Sequence, residues 1–316
     1  MSRILVTGAN GFVGRALCET LSRQDHFVRG AVRSTVRELA GATEVTKVGD
    51  IEANTDWESA LNGIDTVIHA AARAHILRDA PENAALYSQT NVDGTRTLLA
   101  AAERAGVRRF VYVSSIKVNG EATSNKPFTA HDPPNPLDVY GSSKLAAEKI
   151  VLEAAAAGKM DALIVRPPLV YGAGVRANFL RLMQWINRGI PLPLGAVNNA
   201  RSMVSVWNLC DLISILAARP STGTRIFLVS DGCDLSTPRL IQKLADAMGR
   251  RAHLLPVPRG VLQFGARLAG KGDEVSRLCN SLQVDITETR NLLGWQPPVS
   301  VDEGISRTVR WFLDSR

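Results

Sequence analysis

The sequence predicts an α/β protein built on an open, doubly wound parallel sheet, and three observations predict it. Ile4-Leu5-Val6 runs as an apolar strand into Thr7-Gly8-Ala9-Asn10-Gly11-Phe12-Val13-Gly14, a glycine turn that opens a helix. Phe110-Val111-Tyr112-Val113 reads as a buried strand ending at Ser114-Ser115, where a parallel sheet places its ligand crevice. Around these stretches, short apolar runs alternate with helical segments, the pattern of a sheet covered on both faces.

Taken in order, the strands are expected at 3–7, 27–32, 45–48, 65–69, 109–113 and 161–166, with helices at 12–24, 84–106 and 138–157. Gly106 suits the C-terminus of the second helix, since glycine tolerates the left-handed conformation that ends a helix. Right-handed crossovers wind these units into one sheet of the Rossmann type. After Arg166-Pro167-Pro168 strands become sparse and proline clusters appear. The expected division is therefore a dinucleotide-binding domain over 1–166 and a smaller, mainly substrate-binding domain over 167–316, with some interleaving of segments.

Composition narrows the class. In 316 residues, 45% of them hydrophobic, no apolar run approaches bilayer-spanning length. The chain enters a strand and a glycine turn at once, which does not read as a signal peptide. Cys18, Cys210, Cys233 and Cys279 lie far apart without metal-ligand spacing. The expectation is a cytoplasmic enzyme with reduced thiols and no metal. The net charge of +7 is scattered, and the few aromatics do not interleave with it. That describes a solvated basic surface with some attraction for anionic small molecules, and gives no support for nucleic-acid binding.

Gly8, Gly11 and Gly14 would form, respectively, the tight turn, the close approach to a pyrophosphate and the contact between helix and strand. Their spacing departs from the usual G-x-G-x-x-G, so an ordinary glycine-rich turn is the competing reading. Asn10, Phe12 and Val13 complete the turn as cofactor contacts. Enzymes that bind NAD place a carboxylate at the tip of the second strand; here Arg33 stands there. A guanidinium suits a 2′-phosphate, which favours NADP and leaves NAD possible. Asp50 and Ile51 are placed to hold the adenine edge, and Ala70, Ala71 and Ala72 let backbone lie against the cofactor. Val113, at the end of its strand, joins the same set.

Tyr140 and Lys144 stand four residues apart on one helix face. A phenol titrates too high for efficient proton transfer at neutral pH, and a nearby ammonium favours the phenolate. Tyr140 is thus the expected acid/base, Lys144 the group that lowers its pKa and holds the nicotinamide ribose, and Ser115 a donor to the same substrate oxygen. A surface Tyr/Lys pair is the competing reading of this spacing.

With His69-Ala70-Ala71-Ala72, Asn91-Val92-Asp93-Gly94-Thr95, Arg166-Pro167-x-x-Val170-Tyr171-Gly172 and Leu293-Gly294-Trp295-x-Pro297, these motifs resemble the extended short-chain dehydrogenase/reductases over nearly the full length. The nearest branch is the nucleotide-sugar epimerase, reductase and dehydratase group. The resemblance implies that Asn91 supports Lys144 and that Pro167 borders the nicotinamide. It implies that Asn178 and Arg201 bind the diphosphate of a UDP-sugar, with Arg277 as a second phosphate contact whose spacing departs from the common pattern. Asn119 stands where the family usually has tyrosine. The helices at 84–106 and 138–157 imply a homodimer, with packing inside one subunit as the alternative.

Dehydration is disfavoured, because Ile116 and Lys117 replace the Asp-Glu pair that eliminates water in sugar dehydratases. Hydride transfer at the sugar's C4 remains. Arg33 fits an enzyme drawing on an exchangeable NADPH pool, and the loop Arg73-Ala74-His75-Ile76-Leu77-Arg78 and the ending Ser281-Leu282-Gln283-Val284-Asp285 resemble bacterial polysaccharide-pathway reductases acting on UDP-4-keto-6-deoxy-N-acetylhexosamines. A 4-epimerase that keeps NAD bound is the alternative. A non-sugar ketone reductase and a non-catalytic NADP-sensing protein also stay open, the latter disfavoured by the intact Tyr/Lys pair.

Overall fold

The computed structural model describes residues 1–73, 84–158, 160–219, 223–268, 270 and 272–315. Seven parallel strands form one sheet in the order β3-β2-β1-β4-β5-β6-β9. They are β1 (Arg3–Thr7), β2 (Phe27–Val32), β3 (Glu44–Lys47), β4 (Thr66–His69), β5 (Arg109–Val113), β6 (Asp161–Arg166) and β9 (Arg225–Leu228). A separate parallel pair joins β7 (Leu169–Tyr171) to β8 (Met203–Ser205). The chain condenses into two units. One comprises Met1–Gly120, Ala130–Pro167 and Leu209–Leu228; the other comprises Glu121–Thr129, Pro168–Asn208 and Val229–Arg316.

The first unit owes its form to strands that are apolar on both faces. Ile4, Leu5, Val6, Val67, Ile68, Phe110, Val111 and Ile164 are all fully buried, as helices on both faces require. The sheet's order reverses between β1 and β4, which opens a crevice at the carboxyl ends of these strands. Local departures from the expected bounds have visible causes. The first helix stops at Ser22, where Asp25 turns back with φ 59°. Asp65, just before β4, bonds both neighbouring strands through its backbone, donating to the Arg3 carbonyl (2.8 Å) and accepting from the Arg108 amide (3.0 Å), while its carboxylate accepts from the Arg3 amide and the Arg108 side chain, both at 2.8 Å. β3 begins at Glu44, whose carboxylate binds the buried Arg29 guanidinium through Nε (2.9 Å) and Nη2 (2.7 Å).

The expected helix over 84–106 is divided. Ala84–Tyr87 and Gly94–Arg104 are α-helical, and Ser88–Asp93 between them is a wider π turn. Such turns accommodate an extra residue where side chains must be re-aimed. Here the Thr95 hydroxyl donates to the Asn91 carbonyl at 2.6 Å and gives that group a partner. Gly94 sits against Ile51, where an added Cβ would meet Ile51 Cγ2 at 2.4 Å. Gly106 closes the helix with φ 74°, as expected.

In the second unit, the Asp231 carboxylate accepts from the Tyr171 hydroxyl (2.7 Å), the Ser205 amide (2.8 Å) and the Asn208 amide group (2.6 Å). Asn208 in turn exchanges hydrogen bonds with the Val299 backbone, tying β7 and β8 to the C-terminal segment. Gly294, with φ 62°, ends the helix Thr287–Leu293 and delivers Trp295 to the interior.

Candidate active site

The turn after β1 is built by its glycines. Gly8 adopts φ 64°, and a Cβ there would meet Ala71 Cα at 2.8 Å. A Cβ on Gly14 would meet the Gly8 carbonyl oxygen at 2.1 Å, so only glycine lets the helix start this close to the strand. Gly11 is the N-cap of the helix Phe12–Ser22, and no side chain caps that helix. Its opening N–H groups face the sheet's carboxyl edge with a positive dipole end, which fits a pyrophosphate. Asn10, Phe12 and Val13 are half-buried around the turn.

Along the same edge, Arg33 follows β2 and Asp50 follows β3. Their side chains are exposed and lie 3.7 Å apart, a surface pair of little energetic weight that leaves the guanidinium available to an anion. Ile51 and Ala70 to Ala72 are half-buried. Beneath them His69 bridges Thr7 (2.7 Å) and Thr95 (3.1 Å), and burial together with Lys144 pushes its pKa down to about 3. His69 is therefore a neutral tie from β4 to β1 and to the helix Gly94–Arg104.

The helix Val139–Ala156 positions the reacting groups. Asp138 caps it, accepting from the Gly141 amide at 2.6 Å, and also forms an ion pair with Lys117. Tyr140 is half-buried, with the Tyr87 ring 6.1 Å away and the Lys117 ammonium 6.0 Å from its own ring centre. Its hydroxyl is hydrogen-bonded to Ser115, so the two expected substrate donors meet at the end of β5. Asn91 accepts from the Arg73 amide (2.8 Å) and donates to Ser143 (2.9 Å), fixing the helix beside Lys144. Pro167 is buried, and its carbonyl accepts from the Ile116 amide at 2.9 Å.

Lys144 is 1% exposed. Its ammonium donates to the Val113 carbonyl at 2.7 Å and lies 4.1 Å from the centre of the Tyr112 ring. Burial pulls its pKa down to about 7, against the opposing pull of Glu148. The expected lowering of Tyr140 by this lysine is not what the side chains produce. Burial pushes the phenol above its ordinary value, Asp138 and Tyr87 push the same way, and only the Ser115 hydrogen bond opposes them. The reason is that a half-neutral Lys144, committed to Val113 and Tyr112, offers little positive field to the phenol.

A buried network that no sequence motif announces lies below this pair. Glu148 receives Arg166 Nε (2.9 Å), Arg166 Nη2 (2.6 Å) and the Ser114 hydroxyl (2.5 Å). Arg166 Nη1 donates to Asn119 Oδ1 at 2.9 Å. Asn119 thus serves the arginine, whereas the family's tyrosine at this place implies a substrate contact. A signal is present in the spacing: Tyr140, Lys144 and Glu148 recur every four residues and share a face.

In the second unit, Arg201 and Arg277 are brought together. Arg201 Nη1 donates to the Arg277 carbonyl (2.5 Å) and the Asn280 carbonyl (3.1 Å), while the Arg277 side chain reaches Glu121 at 3.3 Å. Asn178 is exposed in the first turn of the helix Ala177–Asn187, next to Ala177 at φ 53°. His75 and most of its loop lie outside the described residues.

A switch-point crevice, an uncapped helix aimed into it and a Ser/Tyr/Lys cluster at the next strand end define a dinucleotide-dependent oxidoreductase of the extended short-chain type. The model of the NAD dependent epimerase/dehydratase family matches residues 4–229, and the chain belongs to that family. It is 44% identical to a protein named UDP-glucose 4-epimerase from Vibrio cholerae, over 99% of this chain and 96% of that one. It is 29% identical to an N-acetyl-α-D-glucosaminyl-diphospho-ditrans,octacis-undecaprenol 4-epimerase of Escherichia coli O157:H7, over 98% and 94%. Among solved structures, MoeE5 in complex with UDP-glucuronic acid and NAD superposes with a TM-score of 0.82 at 26% identity, covering 99% of this chain and all of that one. Among the described residues, no helix is long and apolar enough to cross a membrane.

Proposed function

We propose that this enzyme transfers hydride at C4 of a UDP-sugar, and that it works as a reductase of a UDP-4-keto-6-deoxy-N-acetylhexosamine drawing on NADPH. The observation that carries hydride transfer is the meeting of the Tyr140 and Ser115 hydroxyls at the end of β5, where the phenol can exchange a proton with a substrate oxygen. Arg33 at the tip of β2, where an NAD enzyme would place a carboxylate, supports NADPH. Ile116 is buried and Lys117 is paired with Asp138, so the dehydratases' carboxylate pair has no counterpart here.

In this reading the turn Gly8–Gly14 and the helix behind it hold the pyrophosphate, and Arg33, Asp50 and Ile51 hold the adenosine end. Ala70 to Ala72, Asn91, Val113, Lys144 and Pro167 border the nicotinamide ribose and ring. A bound reduced nicotinamide supplies the hydride to the carbonyl carbon. Tyr140 supplies the proton to the oxygen, Ser115 donates a hydrogen bond to that oxygen, and the phenolate regains its proton from water. Arg201, Arg277 and Asn178 contact the UDP diphosphate, and the chain acts as a homodimer.

A second reading is a 4-epimerase with tightly bound NAD, favoured by the names of the Vibrio cholerae relative and by the NAD in the MoeE5 complex. Denaturing the purified protein and identifying the released nucleotide separates the two. The reductase releases little nucleotide and oxidises NADPH with a UDP-4-keto-6-deoxy-N-acetylhexosamine. Stoichiometric NAD with interconversion of C4 epimers, and no net NADPH oxidation, overturns it. Arg33→Ser should weaken NADPH about tenfold or more relative to NADH, the weight of one or two charge-assisted hydrogen bonds. Equal losses for the two cofactors would remove the case for a 2′-phosphate contact.

A further inference from the structure

One stretch of the second unit combines basic residues with exposed apolar side chains. From Ala247 to Gly272 the sequence holds Arg250, Arg251, Arg259, Arg267 and Lys271 and not one Asp or Glu. Within it runs the helix Arg259–Leu268, in the second unit, packed against the helix Gly272–Cys279. Val261 is 61% exposed and Phe264 67% exposed, one turn apart on the same face, with exposed Gly265 beside them. Leu255, in the proline-rich approach to the helix, is 48% exposed. Leu262 and Gln263, on the opposite side, are half-buried. The helix therefore leaves two large apolar side chains, Val261 and Phe264, uncovered on one face, which a helix partnered only by its own unit has no reason to do.

We infer that the segment Arg250–Phe264 is a docking surface for an anionic lipid bilayer. An amphipathic helix that lies in the membrane interface needs an apolar face to enter the boundary between headgroups and acyl chains, and cations to meet the acidic headgroups. This segment supplies both. Arg250, Arg251 and Arg259 are exposed, and Arg259 donates to Asn280 Oδ1 at 2.6 Å. Between Asp246 and Asp273 the stretch carries only basic charges, which sets an anionic bilayer above a second copy of the chain. Two copies meeting face to face here would oppose like charges across the contact. The short apolar stripe suits a surface that is bound reversibly.

The test is flotation of the full-length protein with vesicles. Wild type should float with phosphatidylcholine vesicles containing about one-third phosphatidylglycerol and stay behind with pure phosphatidylcholine. Raising salt from about 0.1 M to about 1 M, which shortens the screening length from about 10 Å to about 3 Å, should release it. Val261→Ser with Phe264→Ser should weaken binding about tenfold or more, from the apolar area withdrawn from the lipid. Arg250→Gln with Arg251→Gln should weaken it roughly 25-fold, at about fivefold per cation. Thermal melting and cofactor binding of both variants should match wild type, which shows that they fold. Equal flotation with neutral and anionic vesicles, or wild-type flotation of the Ser/Ser variant, overturns the inference. So does a Ser/Ser variant that changes oligomer size when the wild type binds no vesicle, for then a second copy covered the face.

Discussion

Replacing Lys144 with Met should make the protein more stable at acid and neutral pH while removing its activity, and the size of the gain follows from the burial of the ammonium. Lys144 titrates at about 7 in the fold against an ordinary 10.5. Between those values the unfolded chain holds a proton that the folded chain lacks, so wild-type stability rises with pH across that interval. Below it, the buried charge costs the fold about 5 kcal/mol, because each tenfold change in proton affinity is worth about 1.4 kcal/mol. Methionine removes that cost and fills a similar volume. It also strands the Val113 carbonyl that Lys144 served at 2.7 Å, which costs about 1–3 kcal/mol. The net gain at about pH 6 is therefore about 2–4 kcal/mol. At about pH 9.5 only about 1 kcal/mol of the original cost survives, and the stranded carbonyl offsets it. Urea denaturation of both proteins at the two pH values measures the effect, and the quantity to compare is the change in the mutational difference. The stranded carbonyl cancels from that comparison, which should come to about 3–4 kcal/mol. A pH-independent result, with the Lys144→Met variant gaining equally at both pH values, would show that Lys144 does not carry a buried charge. A loss of stability in that variant at the lower pH would show the same.

Tyr140→Phe should lower turnover by about two to four orders of magnitude, the usual weight of a positioned acid, with cofactor affinity nearly unchanged. Wild-type turnover in steady-state assays would remove Tyr140 as the proton donor. Glu148→Gln should destabilise the fold by about 3–5 kcal/mol, because it leaves the Arg166 guanidinium, 2% exposed, without its anion. A loss below about 1 kcal/mol in chemical denaturation would show that water already reaches the pair.

The backbone of the first unit was legible because its signals are local and redundant. Strands such as Phe110–Val113 and Ala162–Val165 are continuous apolar runs, and a strand buried on both faces has no other pattern available to it. The glycine turn and the Tyr/Lys spacing were legible for the same reason, since each lies within one or two turns of chain. The π turn at Ser88–Asp93 was hidden, because its cause is a set of partners for Asn91 at Arg73 and Ser143, distant in sequence. Arg29 reads as a surface charge and is buried on Glu44 and backbone carbonyls for the same kind of reason. The sense of the shift at Tyr140 could not be read either. The spacing puts Lys144 on the right face, yet it does not reveal that Val113 and Tyr112 already engage the ammonium.

The union of Glu148 with Arg166 also constrains how this lineage can change. A mutation that neutralises either member alone strands the other beneath the reacting helix, so each first step leads into a fitness valley. A simultaneous exchange of both for apolar residues of matching volume crosses it at little energetic loss. Descendants should therefore either keep the two charges or have dropped them together, and a chain carrying just one should show a compensating change at Ser114 or Asn119, the other groups that touch them.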